Sequence, residues 1–188
     1  MNLQKLFKAQ KQLDDHIVKE KGLEGQDLLD KKTLALQVEL GELANEWQMF
    51  KFWKEDPKPR RELKRMRSID GHNYFKEVYK RPLLEEYVDC LHFILSIGNE
   101  LGYQNVIPSD YLHRADDTTK QFNYVFYTIM SIDERIVCND YEDMEECYGY
   151  LIGGFEELGR QLGLTWEQIE QAYFAKNEIN FERQANGY

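Results

Sequence analysis

The stretch LALQVELGELANEWQMFKFWK, Leu34–Lys54, decides the fold. Leu36, Leu40 and Leu43 recur at i, i+4 and i+7, the spacing that lines one face of an α-helix. The same segment carries Glu39, Glu42 and Glu46 at i, i+3 and i+7, so three carboxylates form a stripe beside the apolar face. Like charges at these spacings repel, and desolvation worsens the repulsion unless the acids are protonated or meet cations.

A second helix repeats the pattern. Within Leu83–Leu101, Glu86 and Asp89 stand at i, i+3 with Glu85 beside them, among Val88, Leu91, Phe93 and Leu95. A divalent cation between the two helices would offset both repulsion and desolvation. Oxygen-only donors favour Mg²⁺, Mn²⁺ or Ca²⁺. Four or five carboxylates without a partner histidine suit a phosphate substrate carried by two or more ions. Two other readings compete. Glutamate is a good helix former, so such pairs also occur on solvated faces. Di-iron bundles use Glu-x-x-His, and Asp89 with His92 has that spacing, but no second copy exists. His92 therefore reads as a packed histidine, and His16, His72 and His113 show no ligand spacing.

The C-terminal segment YFAKNEINFERQANGY, Tyr173–Tyr188, places Lys176, Asn180 and Arg183 at i, i+4 and i+7, flanked by Asn177 and Gln184. A lysine charge, an amide and an arginine fork suit phosphate oxygens. Cations near a helix C-terminus also complement its dipole without any ligand. The closing Gly187-Tyr188 could tuck back over a site.

Around these segments helical periodicity dominates. Helices are predicted over Leu3–Lys21, Lys31–Lys54 (stopped by Pro57 and Pro59), Leu83–Leu101, Asp116–Val137, Tyr141–Leu162 and from Thr165 onward. Thr165 and Gln168 fit a capping box. Residues 55–82 read as irregular or weakly helical, with a turn at Asp70–Asn73, and no strand is expected. The 188 residues, 42% hydrophobic, suffice for one well-cored domain. The class is all-α, a helical bundle spanning 1–188, with a basic insertion at about 55–82.

Net charge is −10, which argues against a nucleic-acid polymer as partner. Lys51–Arg67 departs from that balance, with eight Lys/Arg against three acids. It reads either as a flap bringing positive charge to a phosphate or as a solvated excursion. No run is long enough to span a membrane, and the N-terminus lacks a secretory apolar core, so a cytoplasmic protein is expected. Cys90, Cys138 and Cys147 lack metal or disulfide spacing and read as buried small hydrophobes.

Three blocks resemble the dimeric all-α dUTP diphosphatases (dUTPases), within the all-α nucleoside-triphosphate pyrophosphatases. They are VELGELANEWQMFKFWK, EEYVDCLHFILSIGNELG and AKNEINFERQANGY, the last the most specific. QKQLDDHI near the N-terminus is similar to the family's nucleoside-side block. Together these cover about a third of the chain. The resemblance implies that Glu39, Glu42, Glu86 and Asp89 hold two or more Mg²⁺ ions, with Mn²⁺ as a substitute. It implies that Glu39 activates the attacking water, and that Lys176, Asn180 and Arg183 grip phosphates. Gln10, Asp14 and Trp53 would lie on the nucleoside side. The expected reaction is dUTP to dUMP and pyrophosphate, in a homodimer; cleavage of dUDP is left open by the sequence. The alternatives are a sister pyrophosphatase for another nucleotide such as dCTP, and a non-catalytic helical interaction module. Two departures stand out: 44 positions separate Glu42 from Glu86, and position 14 is Asp where some relatives have Asn.

Overall fold

The computed structural model describes residues 3–68, 75–108 and 115–185. Six helices and one hairpin follow in the order α1 (Leu3–Lys21), α2 (Leu29–Trp47), β1 (Leu63–Ser68), β2 (Phe75–Lys80), α3 (Pro82–Leu101), α4 (Thr118–Cys138), α5 (Met144–Gln161) and α6 (Trp166–Ala185). The all-α expectation holds, with helices supplying nearly all of the described core.

Helix α3 is the hub, packing against α1, α2, α5 and α6. Its sequence is apolar nearly all round, and thirteen of its twenty residues are buried, as expected of a helix enclosed by others. Leu36, Leu40 and Leu43 of α2 are fully buried in the same core. Each such leucine contributes about 2 kcal/mol of apolar burial, which helps offset carboxylates held close by. Gly98 is where the Tyr148 ring lies against α3, its hydroxyl donating to the Ile94 carbonyl at 2.8 Å.

Several predicted boundaries hold closely. Gly102 ends α3 in the left-handed conformation (φ 80°). Thr165 and Gln168 form the reciprocal box: Thr165 N donates to Gln168 Oε1 at 3.0 Å, and Gln168 N to Thr165 Oγ1 at 3.3 Å.

Three expectations need correction. Helix α2 ends at Trp47, not Lys54, because Gln48 turns left-handed (φ 65°) with its N–H on the Ala44 carbonyl. Lys54 Nζ then donates to Gln48 Oε1 at 2.6 Å and closes the turn. The 55–82 segment is not irregular throughout. It holds an antiparallel pair in which Leu63 faces Lys80, Lys64 faces Tyr79 and Ser68 faces Phe75. Phe, Val and Tyr in FKEVYK supply the β-propensity, which the surrounding Lys and Arg obscured. Of the cysteines only Cys90 is buried; Cys147 is half-buried and Cys138 is exposed at the end of α4. The expected turn at Asp70–Asn73 and the Gly187-Tyr188 tail lie outside the described residues, as do His72 and His113. Among the described residues, no helix is long and apolar enough to cross a membrane.

Candidate active site

The leucine face of α2 packs on α3, and this fixes where the acidic stripes point. Glu39 and Glu42 come from α2, and Glu86 from the second turn of α3. Each offers a carboxylate oxygen within 4.8 Å of the others. Glu39 and Glu86 are half-buried while Glu42 is exposed, so the group sits at the lip of the helix pair.

Burial pushes the Glu86 carboxyl up to about 7, with the charges of Asp89, Glu42 and Glu39 adding to the rise and Lys176 opposing it. Glu39 is raised as well, first by burial and then by Asp89 and Glu42. Three converging oxygen donors at this spacing are the kind of group that could hold a hard cation.

Asp89 belongs beside this group but is engaged elsewhere. Its Oδ2 accepts from Lys176 Nζ at 2.6 Å, across a half-buried pair. Lys176 of α6 thus reaches α3 directly. Glu46, the third member of the α2 stripe, leaves the cluster. Arg60 Nε lies 2.7 Å from its Oε2, and Arg60 N donates to the Glu46 carbonyl at 2.9 Å. The crowded stripe thus divides, with one acid taken by a cation from the basic segment and two turned toward α3.

A second polar cluster lies in the core between α1, α3 and α6. Gln10 Nε2 donates to Asp14 Oδ1 at 2.8 Å, and Gln10 Oε1 accepts from the Tyr173 hydroxyl at 2.8 Å. His92 Nδ1 lies 2.7 Å from the same Oε1, and its ring stacks on Tyr173 at 4.3 Å between centroids. An amide oxygen only accepts, so His92 Nδ1 carries the proton and Nε2 is a bare acceptor. Burial, with Lys176 adding to it, pulls the His92 pKa down to about 3, so the ring is neutral. Burial raises the Asp14 carboxyl, against the pull of the Gln10 hydrogen bond. His92 Nε2 and Asn177 Nδ2 are buried and close no hydrogen bond among the described residues. By sequence alone His92 reads as packing and Asn177 as a flank. The His92 arrangement is hidden there because it depends on which partner Gln10 Oε1 takes in the fold.

Of the remaining predicted residues, Asn180 is half-buried and Arg183 is exposed on α6. Lys176 and Arg183 line one groove with Gln168 and Gln171. Trp53 sits in the turns after α2, largely exposed, edge-on to Phe50 and Phe52. Among the described residues no contact brings Trp53 to Gln10 or Asp14.

Fold and sequence comparison together define the class: an all-α nucleoside-triphosphate diphosphatase, a hydrolase. Within it the chain belongs to the dUTPase family, whose model matches residues 2–76 and 71–188. Comparison with curated proteins gives no match.

Proposed function

We propose that the protein is a Mg²⁺-dependent dUTP diphosphatase that cleaves dUTP, and dUDP, to release dUMP, with the whole chain acting as one unit and the 55–82 segment inserted in it. The observation that carries the reading is the convergence of Glu39, Glu42 and Glu86 beside the Lys176–Asp89 pair. Glu39, Glu42, Glu86 and Asp89 are the residues that would hold Mg²⁺, or Mn²⁺ in its place. Bound there, two or more ions would neutralise phosphate charge and lower the pKa of a coordinated water.

The rest falls to the chain's own side chains. Phosphoryl transfer asks chiefly for an in-line nucleophile and charge neutralisation. Glu39, the raised carboxyl on α2, orients a water and takes its proton as the oxygen attacks the α-phosphorus. The bond from that phosphorus to the bridging oxygen breaks, and pyrophosphate leaves. Lys176, Asn180 and Arg183 grip the phosphate oxygens from α6.

The buried cluster supports uracil as the base. Uracil offers an acceptor at O4 and a donor at N3, whereas cytosine offers the reverse at both. Asn177 Nδ2, beside the Tyr173 hydroxyl, offers a donor, and His92 Nε2 an unspent acceptor. Cytosine would leave both of them unpaired, at about 1–3 kcal/mol each. Gln10 and Asp14 act on this side by holding the cluster in register. Trp53, on its exposed aromatic turn, is assigned to the nucleoside by family resemblance alone.

We place the homodimer contact on α2 and α4, where Leu34, Val38, Tyr127 and Met130 are each more than half exposed. Gln37 Nε2 meets Met130 Sδ at 3.4 Å, so these residues form one surface. A second copy of the chain would cover it.

Chromatography of the products formed from dUTP and Mg²⁺ tests the reading. dUMP and pyrophosphate are expected. Orthophosphate as the first product, or comparable turnover of dCTP, would reject it.

A further inference from the structure

Strand β2 runs directly into α3, and at that junction it delivers Lys80 and Arg81 to a groove of about 550 Å³ between the start of α3 and α6. Lys176 and Arg183 stand on the α6 side, with Ile179 between them. The one carboxylate in the lining is Glu85, whose Oε1 accepts from the Arg81 backbone N–H at 3.2 Å. Four cations from two segments therefore face a single acid.

Lys176 belongs to this groove and to the carboxylate centre alike. Its ammonium is 2.6 Å from Asp89, and its charge draws down both Glu39 and Glu86. The groove thus leads away from the acids along a cationic path. Arg81 Nε is 3.5 Å from Glu62 in a pair that is more than half exposed on both sides, a contact readily exchanged for a stronger anion. Lys80 is exposed and makes no ion pair among the described residues.

We propose that Lys80 and Arg81 bind the outermost phosphate of the nucleoside triphosphate and hold pyrophosphate as it leaves. This rests on the reading of the carboxylate centre as the place where the α-phosphorus is attacked. With the α-phosphate held at the acids, the remaining phosphates extend past Lys176. Two α6 cations, one of them shared with Asp89, face the several negative charges of that tail. The hairpin junction supplies two more from the opposite wall. An arginine fork and a lysine charge are suited to a terminal phosphate with three free oxygens. Both residues lie within the second family match, residues 71–188.

The test uses calorimetric titration of pyrophosphate into the Mg²⁺-loaded protein, together with KM for dUTP and for dUDP as substrate or competitor. Wild type is compared with Lys80→Ala, Lys80→Ala/Arg81→Ala, and the distant control Lys120→Ala. Pyrophosphate affinity should fall about tenfold in the single variant and about a hundredfold in the double, as expected for lost charge-assisted hydrogen bonds. KM for dUTP should rise in parallel while dUDP moves less than about threefold. Lys120→Ala should change nothing. Equal weakening of dUTP and dUDP, or unchanged pyrophosphate affinity, overturns the proposal. Circular dichroism checks the double variant, because Arg81 occupies the N-cap position of α3; if that variant misfolds, Lys80→Ala alone decides. Failure of the wild type to form dUMP from dUTP is a separate result. It overturns the diphosphatase reading, and the proposal with it, whatever pyrophosphate binding shows.

Discussion

Lys176 Nζ donates to Asp89 Oδ2 at 2.6 Å, joining side chains 87 positions apart in the sequence. The pair ties α6 to α3 at the point where the carboxylate centre meets the cationic groove. Substituting Lys176→Met removes both the proposed phosphate ligand and the charge that draws Glu39 and Glu86 down. We expect kcat/KM for dUTP to fall about 10²-fold or more, as for loss of a charged group serving the transition state. The acidic limb of the pH–rate profile should also move to higher pH. A drop in rate with an unmoved profile would argue that Lys176 acts on substrate alone.

Metal binding should expel protons. With Glu86 at about 7 and Glu39 raised, the metal-free protein at pH 6.5 carries protons that a cation must displace. Calorimetry in buffers of different ionisation enthalpy should report release of about one proton at pH 6.5 and almost none at pH 9. The same groups set a stability slope. Between about 4.5 and 7 the folded metal-free chain holds more protons at Glu86 than the unfolded chain, so this residue makes stability fall as pH rises. Glu86→Gln should remove that slope, read from urea midpoints across the window.

His92 works in the opposite sense. Burial lowers its pKa to about 3 from the ordinary imidazole value of 6.5, so between those limits the unfolded chain binds the extra proton. Stability from this residue therefore rises with pH from about 3 to 6.5 and is complete above it. Relative to His92→Gln, the wild type should gain about 2 kcal/mol or more across that range. The slope is the diagnostic, because the variant also disturbs the hydrogen bond to Gln10. Parallel pH curves for the two proteins would contradict a buried neutral imidazole.

Glu46 and Glu42 share a helical stripe but should behave differently. Glu46→Ala breaks the contact with Arg60 and should cost about 1 kcal/mol of stability while leaving Mg²⁺ affinity within about twofold. Glu42→Ala together with Asp89→Ala should abolish the Mg²⁺-dependent binding of a non-hydrolysable dUTP analogue. Thermal melts and calorimetry on the two variants separate the roles. Weakened Mg²⁺ binding in Glu46→Ala would return Glu46 to the cation group.

Much of this architecture was legible because it is local. The leucine spacing of α2, the Thr165–Gln168 box and Gly102 after α3 each encode their structure within a few residues, and each appears as read. The two acidic stripes were legible as stripes. Their division was not, since Glu46 is spoken for by Arg60 and Asp89 by Lys176, and such pairings are set by tertiary packing. The hairpin was missed because its Lys and Arg mask a short strand signal that gains support only from its pairing partner. The buried polar cluster was half visible: Gln10 and Asp14 share a helical face, but only the geometry shows that Gln10 Oε1 meets both Tyr173 and His92. That contact occupies His92 Nδ1 and leaves Nε2 over.

Arg60 has a further consequence. Its amide is fastened to the last turn of α2 through the Glu46 carbonyl, and its own carbonyl accepts from the Leu83 N–H at 3.2 Å in the first turn of α3. The excursion between the two acid-bearing helices is therefore pinned shut at its neck, before the hairpin begins. Whatever lies past the pin can lengthen, shorten or change its side chains without altering the spacing of the helices below. This fold can thus tolerate a 44-position gap between Glu42 and Glu86 and still bring the two carboxylates together.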